Sequence, residues 1–180
     1  DERAVRAGHR FDIAAAQRVR EFFLRFLCHS KGAWAGQPFE LLDWQWRQVI
    51  APLFGWKRAN GTRRYRRGYI EVPKKNGKST LFSGLSLYLL AGDNEPGAEI
   101  YSAAVDRDQT SIVFNEAANM VEESPQLSSR LKVVRSTKRI VFHRTRAFYR
   151  ALSADVPAKE GLNAHAVLID ELHAQKTREL

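Results

Sequence analysis

The feature that most constrains the fold is a basic stretch in the first half of the chain, Val72-Pro73-Lys74-Lys75-Asn76-Gly77-Lys78-Ser79-Thr80. It follows a short apolar run at residues 68–72 and precedes a helix-like run from Leu81 to Leu90. A strand, a tight basic loop and a helix start in this order predict a phosphate-binding loop, because the loop N–H groups and the helix dipole both attract an anion. We predict that Lys78 reaches the β- and γ-phosphates of a nucleotide and that the Ser79 hydroxyl ligates Mg²⁺.

The first position of this loop departs from the usual pattern, since Val72 stands where a glycine is expected. We expect Pro73 to support the turn by fixing its own φ. The predicted nucleotide contacts then come from the rest of the loop, namely Pro73, Lys74, Lys75, Asn76, Gly77, Lys78, Ser79 and Thr80.

A second candidate site lies near the end of the sequence, where the apolar run Ala166 to Ile169 is followed by Asp170 and Glu171. Such a run is typical of a strand buried on both faces, with its acidic end at the carboxyl edge of a parallel sheet. Ligands bind at that edge in open α/β sheets. We predict that Asp170 holds Mg²⁺ and that Glu171 polarises the attacking water. Strand-end acids are often merely solvated, but together with the upstream loop this pair predicts an ATP hydrolase.

Charge is the third informative property. The 180-residue chain is long enough for one α/β domain, and its net charge of +9 predicts attraction to a polyanion. Nine basic residues against one acid lie between Lys57 and Lys78, and a second basic stretch runs from Arg130 to Arg150. The run at residues 63–67 could contact a nucleic-acid backbone or be a solvated loop. A single cysteine excludes an internal disulfide, and no apolar run is long enough to span a membrane.

The remaining sequence predicts helices and strands around these two sites. We expect a helix between Phe11 and His29, a second strand at 98–104, and a helix capped by Asp106 that continues to about Glu123. An antiparallel meander is predicted from three short runs, at residues 131–135, 139–143 and 148–153, followed by a polar loop at 155–163. We divide the chain into an N-terminal helical segment at 1–56 and an ATPase core at 57–180.

A further helix is predicted to begin with Asp43 as its N-cap and to break near Pro52. Gln45 should lie off its apolar face, and an amide there can contact both donors and acceptors on an adenine edge, although most surface glutamines are solvated. All four tryptophans (Trp34, Trp44, Trp46 and Trp56) fall near this helix. Core packing is their expected role, with base stacking as the alternative.

In combination these stretches resemble a known family, the large terminase subunit of tailed double-stranded DNA phages, in its HK97-like branch. The similarity covers nearly the whole chain and also includes stretches outside the two sites: Lys31-Gly32-Ala33-Trp34-Ala35-Gly36-Gln37-Pro38-Phe39, Trp44-Gln45, Asp106-Arg107-Asp108-Gln109, Glu160-Gly161-Leu162-Asn163 and Leu172-His173-Ala174. The missing first glycine is itself a feature of that family.

The resemblance implies an ASCE-type P-loop NTPase with a mainly parallel central sheet flanked by helices. It implies truncation after the Walker B strand, with an RNase H-like nuclease domain absent. By position, Gln45 resembles the adenine-contacting glutamine, Lys78 and Ser79 the Walker A ligands, Asp170 the metal-associated acid and Glu171 the catalytic glutamate. Lys74 stands where some terminases carry an arginine that acts on the γ-phosphate in cis, and Lys159 and Arg107 are candidates for a cation acting on a neighbouring subunit.

The function implied by the resemblance is viral genome packaging: Mg-ATP hydrolysis drives translocation of double-stranded DNA in the cytoplasm of the infected bacterial host. Implied partners are DNA, further copies in a homo-oligomeric ring, the portal and the small terminase subunit, but no membrane. Two alternatives remain open. One is a superfamily 2 helicase fragment, because Asp170-Glu171-Leu172-His173 spells a DExH box. The other is a basic nucleic-acid-binding module without ATPase activity.

Overall fold

The structure is a computed structural model that describes residues 2–104, 107–152 and 161–171, apart from the side chains of residues 107–110. Its helices are α1 (Glu2–Arg6), α2 (Ile13–Phe26), α3 (Ala51–Gly55), α4 (Lys78–Ala91), α5 (Arg107–Glu123) and α6 (Pro125–Ser128). Its strands are β1 (Arg10–Phe11), β2 (Trp56–Lys57), β3 (Glu99–Ala103), β4 (Lys132–Val134), β5 (Arg139–Phe142), β6 (Ala147–Leu152) and β7 (Ala164–Ile169). Short 3-10 turns lie at Gly32–Trp34 and Arg135–Thr137, and a π-helical turn at Gln45–Ile50.

The described part of the chain is organised on a five-stranded sheet with the order β4-β5-β6-β3-β7. β3 pairs in parallel with both β6 and β7, whereas β4, β5 and β6 form the predicted antiparallel meander. The α/β fold with flanking helices is therefore confirmed, but the sheet is mixed rather than mainly parallel. The reason is that the meander contributes three of the five strands, so two of the four strand pairings are antiparallel.

α4 is the central helix of the core. It packs against α5 and against β3, β6 and β7, while α2 covers its other side. Since α4 is enclosed from several directions, it is apolar nearly all round, with Leu81, Leu85, Leu87 and Tyr88 all buried. Gly84 lets α2 approach, because a Cβ built there would lie 2.5 Å from Cε1 of Phe23.

The helices predicted around residues 11–29, 81–90 and 106–123 are confirmed in their described residues. Four apolar residues at helical spacing in α5 are all buried: Val113, Ala117, Met120 and Val121. The proposed Asp106 cap lies outside the described residues, as does most of the predicted polar loop at 155–163. The division of the chain at residues 56 and 57 stays a prediction.

The run at residues 68–72 was predicted as a strand, and that prediction is wrong. These residues carry no strand assignment, and Tyr69 is 74% exposed. A strand requires a hydrogen-bonded neighbour, and no described strand borders this run.

β7 is less enclosed than the sequence predicted. It pairs only with β3 and leaves Val167 52% exposed, so within the described residues it is an edge strand rather than one buried on both faces.

The helix around Gln45 also differs from the prediction. It begins at Asp43, where the Trp46 N–H donates to the Leu42 carbonyl, and the Asp43 carboxylate accepts from Arg47 Nε at 2.6 Å instead of capping the helix. The helix does not break at Pro52. The π-helical turn is followed directly by α3, and Pro52 lies in the first turn of α3, where a proline is tolerated.

The tryptophans pack less completely than expected. Trp34 is 65% exposed, so core packing is wrong for it, whereas Trp44 and Trp46 are partly buried against the core. Trp56 meets Phe11 edge-on at 5.5 Å between ring centroids. Among the described residues no helix is both long enough and apolar enough to cross a membrane.

Candidate nucleotide-binding site

Two residues of the basic loop, both before the start of α4, make sharp turns of the backbone. Lys75 has φ of 67° and Gly77 has φ of 75°, both in the left-handed region. Gly77 is the N-cap of α4, and its carbonyl accepts from the Leu81 N–H at 2.9 Å. The side-chain amide of Asn76 donates to the carbonyls of Pro73 and Lys74, at 3.2 and 3.3 Å. The loop is therefore stabilised by hydrogen bonds among its own residues. It leads directly into the N-terminus of a 14-residue helix, which is the positive end of the helix dipole.

Lys78, the first residue of α4, points at the two acids that follow β7. Its Nζ lies 2.9 Å from Asp170 Oδ1 and 2.5 Å from Glu171 Oε1. Partial burial acts to lower the pKa of Lys78, but the hydrogen bonds to Glu171 and Asp170 outweigh it and raise the pKa above 10.5. Lys78 therefore stays protonated across the physiological range. The two candidate sites, 92 residues apart between Lys78 and Asp170, form one site.

The acidic pair is held in place by the sheet. The Asp170 N–H donates to the Ala103 carbonyl at 2.9 Å, which continues the β3–β7 pairing to the carboxyl edge and leaves Asp170 only 7% exposed. Glu171 then turns with φ of 53°, and its N–H donates to Asp170 Oδ1 at 3.0 Å. This turn directs both carboxylates toward the start of α4.

Gln45 lies against the phosphate loop and is not a surface residue, contrary to the prediction. It is 2% exposed, and its Nε2 is 3.7 Å from the position that a Cβ on Gly77 would occupy. Its Oε1 accepts from the Leu42 N–H at 2.9 Å, as in a capping box. Its burial and this hydrogen bond fix the position of the side chain within the fold. Its contact with adenine stays a prediction.

The oxygen atoms at this site are of the kind that suits Mg²⁺. The Ser79 hydroxyl sits at the start of α4, beside Lys78, and the Asp170 carboxylate is fixed next to Lys78 Nζ. The described residues contain no group of three or more His, Cys, Asp or Glu side chains arranged to hold a metal by themselves. Mg²⁺ commonly takes one or two protein oxygens and completes its shell with water and phosphate, so the available donors fit this ion.

The other predicted site residues are less well defined. Lys74 is exposed in the loop, Lys159 lies outside the described residues, and Arg107 begins α5 with a side chain that is likewise not described. The exposed edge of the loop also includes Pro73, Lys75 and Asn76, and Thr80 is partly buried in the first turn of α4. Their contacts with a nucleotide stay predictions.

One polar network was missed by sequence reasoning. Asp93, in the turn after α4, accepts from Arg63 Nη1 at 2.9 Å and contacts His165 Nε2 at 2.7 Å. Burial acts to raise the pKa of Asp93, but the His165 hydrogen bond and the Arg63 charge outweigh it and lower the pKa below 3.8. The network joins the basic run, the end of α4 and the start of β7. No motif indicates it, since its members are 30 and 72 residues from Asp93.

A basic loop that opens a buried helix and faces an acidic strand end across one sheet defines a P-loop NTPase fold. The family model for the terminase large subunit ATPase domain matches residues 43–180, and the chain belongs to this family. It is 31% identical over 160 residues to the terminase large subunit of Enterobacteria phage HK97. It also superposes on the crystal structure of the HK97 bacteriophage large terminase with a TM-score of 0.69, at 28% identity over 86% of this chain.

The match covers a limited part of those relatives. The chain spans 31% of the length of the HK97 subunit and 30% of the crystallised chain. The family assignment favours a terminase over the two alternatives, a helicase fragment and a binding module without ATPase activity.

Proposed function

We propose that this chain is the ATP-hydrolysing part of a phage packaging motor, which binds Mg-ATP at the Lys78–Asp170–Glu171 site and couples its hydrolysis to movement of double-stranded DNA. The observation that carries the proposal is the convergence of Lys78 Nζ on Asp170 and Glu171, at 2.9 and 2.5 Å. This convergence brings the loop cation and the two strand-end carboxylates to one place, and these are the groups that would bind the phosphates, the metal ion and the attacking water.

In the proposed mechanism the loop N–H groups and Lys78 bind the phosphates. Lys78 gives up part of its contact with the two carboxylates and binds the γ-phosphate instead. Ser79 and Asp170 would hold Mg²⁺, whose charge offsets that of the phosphate oxygens. Glu171 accepts a proton from the attacking water as the water oxygen bonds to the γ-phosphorus and the bond to ADP breaks. The products are ADP and inorganic phosphate.

Four further residues have proposed roles around this centre. Gln45 would contact the adenine edge, using amide hydrogens not engaged by Leu42. Lys74 would add charge near the γ-phosphate in cis, without the planar fork of an arginine. Lys159 and Arg107 are the proposed candidates for a cation that acts on the site of a neighbouring subunit in a ring.

DNA would be gripped through the basic run at residues 57–67. Arg63 is tied to Asp93, and Arg64 stacks near Trp56 and Tyr65, at 5.5 and 5.0 Å from the ring centroids. Arg66 and Arg67 are exposed and extend this surface toward solvent. Contacts to phosphates of this kind do not depend on sequence and weaken with salt. The portal, the small terminase subunit and the host cytoplasm complete the proposed setting.

The proposal is tested by replacing Glu171, the residue proposed to accept a proton from the attacking water. Glu171→Gln keeps the size of the side chain but removes its ability to accept a proton, so we expect ATP turnover to fall about 100-fold or more while ATP binding is retained. Glu95→Gln, an exposed acid after α4, is the matched control and should hydrolyse at the normal rate. Turnover should be measured in the longest polypeptide that contains this chain, with DNA present. Unchanged turnover in Glu171→Gln would remove the proposed mechanism.

A further inference from the structure

A cavity of about 250 Å³ opens between α2, the C-terminal end of α4 and the segment that links α6 to β4. α4 runs 14 residues from Lys78 to Ala91, or about 21 Å, and Ala91 lines this cavity. The cavity therefore lies one helix length away from the nucleotide site. Nothing in the proposed mechanism uses it.

The floor of the cavity is apolar and aromatic. Phe22, Tyr88, Leu131 and Phe142 line it, and all four side chains are buried. A pocket that encloses a drug-sized ligand usually has at least about 300 Å³, so this one is small for a nucleotide or a cofactor. Its volume suits one large apolar side chain.

The rim of the cavity is positively charged. Arg18 and Arg25 reach it from α2, and Arg130 from the residues after α6. Among the described lining residues one carboxylate is present, that of Glu21, which lies 3.5 Å from Arg25 in an exposed pair. The rim thus has more cations than anions, and the excess complements an occupant of negative charge.

We propose that this arginine-rimmed pocket, lined by Arg18, Arg25 and Arg130 over Phe22 and Tyr88, docks an acidic peptide segment of a partner protein by taking up one bulky apolar side chain. The apolar side chain fills the floor and excludes water from it, while carboxylates on either side pair with the arginines. Aromatic and arginine side chains are the residues that most often dominate such contacts. The proposal does not depend on ATP hydrolysis at the distant site.

The test uses a fluorescein-labelled peptide of sequence Asp-Glu-Asp-Phe-Glu-Asp and the longest polypeptide that contains this chain, with fluorescence anisotropy as the readout. We expect saturable binding that weakens at least tenfold in the Arg18→Glu/Arg130→Glu double variant. Ala91→Phe, which places a ring at the pocket wall without a charge change, should weaken binding to a similar extent. Arg3→Glu/Arg10→Glu makes the same charge change at exposed positions outside the pocket and should bind normally.

A second peptide separates docking from plain charge attraction. With serine in place of phenylalanine, the peptide should bind at least tenfold more weakly to the unmodified protein. Equal affinity of the two peptides, or equal affinity of the two double variants, would overturn the proposal. Binding by the 180-residue chain that is lost in a longer polypeptide would also overturn it, because the pocket would then be covered by the protein's own sequence.

Discussion

Two residues of the phosphate loop have positive φ, but only one of them is glycine. Gly77 at φ of 75° adopts its conformation freely, whereas Lys75 at φ of 67° carries a Cβ in the same region at a cost of about 1 kcal/mol. Since Lys75 is exposed, nothing in its packing offsets that cost. The strain is retained in the turn that leads into α4.

The two positions should differ in how much stability a substitution costs. Gly77→Ala is expected to lower the free energy of unfolding by about 1 kcal/mol, since the backbone disfavours a Cβ there although space is available. Lys75→Gly is expected to change it by less than about 1 kcal/mol, because relief of strain opposes the added flexibility of the unfolded chain. Urea unfolding followed by circular dichroism measures both. A larger loss in Lys75→Gly than in Gly77→Ala would contradict this account.

At the scale of single residues, the sequence predicted which residues come together better than it predicted their surroundings. The types and order of Lys78, Asp170 and Glu171 predicted a common site, and the structure brings them together although the strand expected before Lys78 is not formed. Burial of Gln45 could not be predicted, since it depends on a capping contact with Leu42 and on the position of Gly77.

At the scale of elements, the close contact of α2 with α4 depends on Gly84. Gly84→Ala improves helix propensity by about 1 kcal/mol, but its Cβ would press on the ring of the fully buried Phe23. We expect a net loss of about 1–2 kcal/mol in the free energy of unfolding. Phe23→Leu should lose less stability when Gly84 is already alanine, because the smaller side chain leaves room for the methyl group. Additive losses in this double-mutant cycle would exclude a contact between the two positions.

The Asp93 network predicts a pH-dependent stability. Asp93→Asn removes the charge that Arg63 and His165 both contact, and should cost about 1–3 kcal/mol at pH 7. The folded pKa is lowered from 3.8, so this contribution is fully present well above pH 3.8 and is lost as pH falls through the lowered value. The difference between Asp93→Asn and the unmodified protein should therefore shrink in strongly acidic solution. Thermal unfolding of both proteins from pH 7 down to pH 3 measures this difference in stability. A difference that stays constant with pH would contradict the stabilising role of the Asp93 charge.

The strand that was wrongly predicted at residues 68–72 shows what composition alone does not determine. Alternation and composition report which side chains suit a sheet, but a strand also needs a neighbour with which to exchange hydrogen bonds. The antiparallel meander was predictable because β4, β5 and β6 supply each other's partners over short links. Residues 68–72 have no such partner among the described strands, so they do not form a strand.

At the scale of the whole molecule, the excess of positive charge is expected to act through DNA phosphates. Arg66→Ala/Arg67→Ala should weaken binding of double-stranded DNA to a similar degree for any sequence, and should reduce the slope of log K against log salt by about 2. Arg3→Ala/Arg6→Ala, with equally exposed arginines on α1, is the control. Anisotropy titrations at several salt concentrations give both slopes. An unchanged slope in the Arg66/Arg67 variant would show that these two arginines do not contact DNA phosphates.

We expect the phosphate loop and the acidic strand end to form one site for Mg-ATP. The decisive measurement is how Mg²⁺ changes the affinity for a fluorescent, non-hydrolysable ATP analogue. In the unmodified protein we expect Mg²⁺ to strengthen binding at least tenfold, and in Asp170→Asn we expect most of that gain to be lost. An Asp170→Asn protein whose affinity still rises with Mg²⁺ as much as the unmodified one would contradict the claim.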